Sequence, residues 1–216
     1  MRTMNPLKGL LLYFWYDAGA KLIMLFVQAI AWGIAFAIWG GAILLMFFGI
    51  NAVMGASMVV ISGMGNKEID WERFQLSMPV KRADLASSQY LSVGIAAFIG
   101  VPIFVIFTGL NSIWHEGAYF TLASAFLSLA PFLSMPFILG GLVFPLYMMP
   151  WAEKMYEALF PMLMVVAILL PQSAVMAAGR WNWQIDATVS ITLVVSMLIF
   201  VGSYFVTRKL YAKADF

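Results

Sequence analysis

The chain has 216 residues, 63% of them hydrophobic and 10% charged, with a mean hydropathy of +0.93 and a formal net charge of +2. Soluble domains carry about 25% charged residues, so this composition excludes a water-soluble globule and identifies an integral membrane protein, whose apolar surface faces lipid as well as its own core. No soluble catalytic or nucleotide-binding domain is expected within this length, so any energy source is expected to come from elsewhere, and the absence of cysteine excludes disulfides and thiolate metal sites.

At the N-terminus, Asn5-Pro6 is a helix-start signal. Leu7, Leu10, Leu11, Phe14, Trp15 and Ala18 follow at helical spacing, an amphipathic stripe with Lys8 on its polar side. The pattern predicts an interfacial helix over about 5–19 that lies on the membrane before the chain turns into it; the alternative is an extension of the first span. A cleavable leader is not expected, because Pro6, Asp17 and the consecutive aromatics Tyr13 to Tyr16 depart from a basic, apolar, small-residue processing pattern.

Between Lys21 and Lys67 stand 45 uncharged residues, about twice the roughly 20 that cross a hydrocarbon core. The run must fold back once, with Trp39-Gly40-Gly41 as the turn, which predicts spans near 22–39 and 42–64. A charged stretch over 65–84 comes next, then a third span near 85–110 and a polar loop over Asn111 to Ala118. The fourth span, near 119–148, should be kinked by Pro131, Pro136 and Pro145. A second charged loop, Met149 to Glu157, leads to a fifth span near 158–178, a loop over Gly179 to Asp186, and a sixth span near 187–207. The whole length is thus one all-α transmembrane domain.

Six spans place both termini on one face, and the basic residues say which. Arg2, Lys8, Lys21, Lys67, Arg73, Lys81, Arg82, Lys154, Arg208, Lys209 and Lys213 fall on the terminal side and only Arg180 opposite, so eleven of twelve mark that side as cytoplasmic. Trp15, Trp71 and Trp151 fall near the inner boundary and Trp39, Trp114, Trp181 and Trp183 near the outer, as interfacial anchors do; Trp32 does not fit this scheme.

The segment Gly65 to Tyr90, GNKEIDWERFQLSMPVKRADLASSQY, holds eight of the 22 charged residues. Asn66 can cap a short helix in which Trp71, Phe74 and Met78 share a face and Asp70 pairs with Arg73 at i+3. Pro79 suits the first turn of a second helix running through Val80, Lys81, Arg82 and Asp84 into the third span. The result is an elbow of acidic, aromatic and basic groups, set against the blander reading of a solvated loop that only fixes topology.

Trp71, Phe74, Pro79, Val80, Arg82, Ser88, Tyr90 and Leu91 match a W-x-x-F-x-x-x-L-P-V-x-R-x-x-x-x-x-S-x-Y-L signature, with Met78 in place of the usual leucine. With this signature the chain resembles small six-span ABC-2 type transporter permeases, and among them the permeases of peptide exporters of the phenol-soluble modulin type. The resemblance implies a type V exporter-like fold with an N-terminal interfacial helix. It implies that the elbow is a coupling helix inserted into a cytoplasmic ABC ATPase, with Glu68, Asp70, Trp71, Glu72, Arg73 and Phe74 as contacts and Trp151, Glu153 and Lys154 as a lesser second contact. An aromatic anchor flanked by charges is the composition of a docking hot spot with a polar rim.

Two ATPase copies and a second permease copy, identical or paired, complete such a machine. The resemblance further implies ATP and Mg²⁺ on the ATPase, no cofactor, metal or catalytic residue in this chain, no nucleic-acid partner, and a bacterial cell membrane. Amphipathic or hydrophobic peptides are the implied cargo. Gln28, Asn51 and Gln172 are costly against lipid and are expected either to line a pathway or to bond between helices.

Other functions fit less well. The single histidine, His115 beside Glu116, is too thin a constellation for catalysis. Gly63-Met64-Gly65-Asn66-Lys67 lacks phosphate-loop spacing, so this chain is not expected to hydrolyse ATP. An ion-coupled secondary transporter should carry ionisable groups at mid-membrane, and no acidic residue falls inside a predicted span, which argues against proton coupling though not against sodium sites built from carbonyls. A membrane immunity protein binding an antimicrobial peptide would not need the elbow.

Overall fold

The computed structural model describes residues 6–55, 57, 61, 82–115, 121–147, 152–181 and 184–213. Among them the chain forms α1 (Pro6–Trp39), α2 (Ala42–Gly49) continuing into a π-helical segment (Ile50–Met54), α3 (Arg82–Trp114), α4 (Leu122–Tyr147), α5 (Ala152–Arg180) and α6 (Ile185–Lys213). Every described element is helical because a helix satisfies its own backbone donors and acceptors, which lipid cannot do. Five of these helices are long and apolar enough to cross a membrane, and a shorter apolar helix covers Ala42–Met54. The predicted second span is described as far as Gly55, with Ser57 and Ile61 also helical; its remainder lies outside the described residues.

The predicted interfacial helix and first span are one continuous α-helix of 34 residues, about 51 Å long at 1.5 Å per residue. No turn separates residues 19 and 22, since no proline there removes a backbone donor. The helix exceeds the roughly 30 Å hydrocarbon core, so a perpendicular crossing leaves several turns outside. It ends at Trp39, where Gly40 (φ 65°) and Gly41 (φ 93°) adopt conformations that disfavour a Cβ.

Two other boundaries shift, and the fourth span stays helical through its prolines. Asn111, expected in a loop, belongs to α3, and its Nδ2 donates to the Phe36 carbonyl at 2.8 Å, tying the end of α3 to the end of α1. The loop expected over Met149 to Glu157 is helical from Ala152. Finally, α4 remains α-helical through Pro131, Pro136 and Pro145.

That helix is the centre of the molecule. Every residue from Pro131 to Gly141 is buried, and α4 is far more covered by neighbouring helices than α5. It packs chiefly on α6, then on α5 and α3. Aromatic rings link the layers. Phe36 of α1, Phe48 of α2, Phe104 of α3 and Phe132 of α4 follow one another at centroid separations of 5.9, 5.4 and 5.5 Å, within the favourable range for ring pairs. Trp32 stacks on Phe47 at 5.1 Å, which explains a tryptophan away from the interface. Trp39, Trp114 and Trp181 stand exposed at the ends of α1, α3 and α5.

Candidate functional site

The start of α3 is fastened to the end of α6 by hydroxyl and amide bonds. Tyr90 Oη lies 2.7 Å from Ser203 Oγ and 2.8 Å from Thr207 Oγ1. Ser203 gives its proton to the Phe200 carbonyl at 3.0 Å. Tyr90 has one hydroxyl proton to give, so it donates to at most one of these two hydroxyls and can accept from the other, which joins the three groups in one hydrogen-bonded cluster. Beside it, Ser87 Oγ and Tyr204 Oη are 3.0 Å apart, and Gln89 Nε2 donates to Tyr211 Oη at 3.0 Å.

The Tyr90 ring is held as firmly as its hydroxyl. It packs against Phe144 of α4 at 4.7 Å and against Phe200 and Tyr204 of α6 at 4.8 and 5.4 Å. Ser88, also buried, donates to the Leu85 carbonyl at 2.8 Å within its own helix. Both signature residues at the elbow's exit, Ser88 and Tyr90, thus face protein.

The spacing Ser203-x-x-x-Thr207 puts two hydroxyls on one face of α6, and Tyr90 meets both. From the sequence, amides stood out as the polar groups inside spans; Tyr90 stood out only through the family signature, and Gln89, Ser203 and Thr207 did not stand out. The available signal was the same cost of polar groups against lipid, applied to hydroxyls.

A second feature lies between α1, the π-helical segment and α5. A cavity of about 430 Å³ is lined by residues including Lys21, Met24, Asn51, Met54, Phe160 and Met164. A π turn widens a helix by one residue and recurs at functional sites. Asn51 lies in this turn, and its Nδ2 donates to the Phe47 carbonyl at 2.8 Å rather than to another helix. The cavity wall is otherwise largely apolar, with three flexible methionines.

Of the other residues singled out from sequence, Gln28 is exposed on α1 and Gln172 half-buried on α5. Glu68, Asp70, Trp71, Glu72, Arg73, Phe74, Pro79, Val80, Lys81 and Trp151 lie outside the described residues, while Arg82 begins α3 and Glu153 and Lys154 fall in the first turn of α5. Among the described residues no three His, Cys, Asp or Glu side chains gather as a metal site would require. His115 is exposed just beyond α3.

Residues 14–212 match the model of a family described as ABC-2 family transporter protein. Neither a curated protein nor a solved structure matches the chain.

Proposed function

Because the chain belongs to the ABC-2 family of transporter proteins, we propose that it is the permease subunit of an ABC exporter for amphipathic or hydrophobic peptides. Membership makes it a multi-pass membrane component that works with an ABC ATPase; the peptide cargo, the outward direction and the pairing of two permease copies are our extension. In this reading the chain has six spans, both termini face the cytoplasm of a bacterial cell, and the first turns of α1 lie at the inner interface.

The observation that carries the reading is positional. The charged segment 65–84 runs into α3 at Arg82, and about two turns later α3 is bonded through Tyr90 to Ser203 and Thr207 of α6. A push on the elbow therefore moves α3 and α6 together. Glu68, Asp70, Trp71, Glu72, Arg73 and Phe74 dock the ATPase, Pro79 to Arg82 redirect the chain, and Trp151, Glu153 and Lys154 form a second contact. ATP and Mg²⁺ bind to the ATPase, and closure of its dimer rocks two permeases against each other as rigid bodies.

The cavity beside Asn51 then contributes to the conduit, its methionines adapting to varied apolar cargo. Met162, Val165, Leu169 and Met176 are exposed on α5, and this little-covered helix faces the second permease copy.

Purification of the tagged chain in detergent with its ATPase tests the docking directly. The wild type should retain one ATPase per permease, and the Trp71→Ala, Phe74→Ala double variant should release it while keeping its helical circular dichroism. Unchanged retention by the folded variant would sink the coupling assignment.

A further inference from the structure

The outer side of the α3–α6 seam carries a groove of about 910 Å³ whose walls include Tyr90, Leu91, Gly94, Phe98, Val201 and Tyr204. We infer that this groove is a site for a membrane phospholipid, with an acyl chain laid along α3 and the phosphate held at the basic end of α6.

Length argues for a lipid over a helix from another chain. Along α3 the lining runs from Ser87 to Ile99, twelve helical rises or about 18 Å, close to one leaflet of a roughly 30 Å core. A transmembrane helix of a second copy would need the full thickness. Polarity is graded in the same sense. Ser87, Tyr90 and Tyr204 put the hydroxyls at one end, and Ile95, Phe98 and Ile99 make the other end wholly apolar.

Charge completes the match. Val201, Tyr204 and Arg208 succeed one another at i, i+3 and i+7 on α6, so Arg208 continues the groove-lining face one turn beyond its polar end. Arg208 and its neighbour Lys209 are both exposed. A guanidinium there suits a phosphodiester through paired hydrogen bonds. The floor is open as well: a Cβ at Gly94 would meet no heavy atom within 4 Å outside its own helix. An open apolar slot inside two membrane-spanning helices is filled by what surrounds it.

Native mass spectrometry of the purified full-length chain, supplied with phosphatidylglycerol or with phosphatidylcholine of the same acyl chains, tests the assignment. The wild type should retain one phosphatidylglycerol per chain through detergent exchange. Gly94→Leu, whose Cβ meets no neighbour within 4 Å and whose branched end projects into the slot, should lower that retention at least tenfold, and Arg208→Gln should reduce phosphatidylglycerol to the phosphatidylcholine level. Undiminished retention in a folded Gly94→Leu protein overturns the site. So does a change from dimer to monomer in that variant, which would make the groove a subunit interface. Should Gly94→Leu fail to fold, the exposed Arg208→Gln variant decides alone: an unchanged preference for the anionic lipid overturns the proposal.

Discussion

Gly100 of α3 lies so close to the carbonyl of Ala52 in the π-helical segment that a Cβ on Gly100 would overlap it. The contact is backbone to backbone, and neither side has a flexible group that could move away. Small residues let helices approach in this way where lipid offers no hydrophobic drive to pack them. Gly100→Ala should therefore destabilise the protein by about 1–3 kcal/mol, the cost of overpacking. Gly94→Ala, six residues earlier and facing open space, should stay within about 0.5 kcal/mol or gain slightly from helix propensity. Thermal unfolding of both variants in one detergent makes the comparison, and equal midpoints would refute the close fit.

Removing the Tyr90 hydroxyl separates the clamp's bonds from its packing. Tyr90→Phe keeps the ring contacts with Phe144, Phe200 and Tyr204 but loses the bonds to Ser203 and Thr207. Interhelical bonds in membranes average about 0.6 kcal/mol, so the loss should be about 1 kcal/mol. Tyr90→Ala also empties the aromatic site and should cost about 3–5 kcal/mol. Steric trapping or reversible unfolding in mixed micelles measures both; a Tyr90→Phe protein as stable as the wild type would show that the hydroxyl chain contributes nothing.

Ser92 makes the opposite case. Its Oγ is buried and has no hydrogen-bond partner among the described residues, so the hydroxyl has lost water without recompense. Ser92→Ala should be neutral or more stable by up to about 1 kcal/mol. A loss exceeding 1 kcal/mol in the same unfolding assay would mean that the hydroxyl has a partner after all.

Asn51→Leu keeps side-chain bulk while removing the amide from the cavity wall and its bond to Phe47. If the cavity belongs to the conduit, export into proteoliposomes should change by roughly two- to tenfold, the effect of one hydrogen bond of about 0.5–1.5 kcal/mol. ATPase retention should not change. Wild-type export by the variant would remove Asn51 from the pathway.

Much of the architecture was legible in residue order. Charge is expensive inside a bilayer, so its spacing marked where the chain could cross, and Gly40-Gly41 supplied the turn after Trp39 that a 45-residue uncharged run requires. The residues Ser88, Tyr90 and Leu91 carried the family signature, and membership over residues 14–212 agrees with the ABC-2 resemblance. The limit of the helix after Leu110 was not legible, because Asn111 reads as a loop residue until the Phe36 carbonyl that accepts its proton is in view.

Sequence by itself determined that this is a helical membrane protein and where its charged segment lies. Only the tertiary structure decided that α4 sits at the centre, that Gly100 meets Ala52, and that Tyr90 joins α3 to α6. The physical reason is the solvent. In water, an apolar stripe reports which face is buried; in a bilayer, lipid and protein accept the same apolar side chains, so hydropathy records the crossing and leaves the packing partner to shape and to the few polar groups that must find one another.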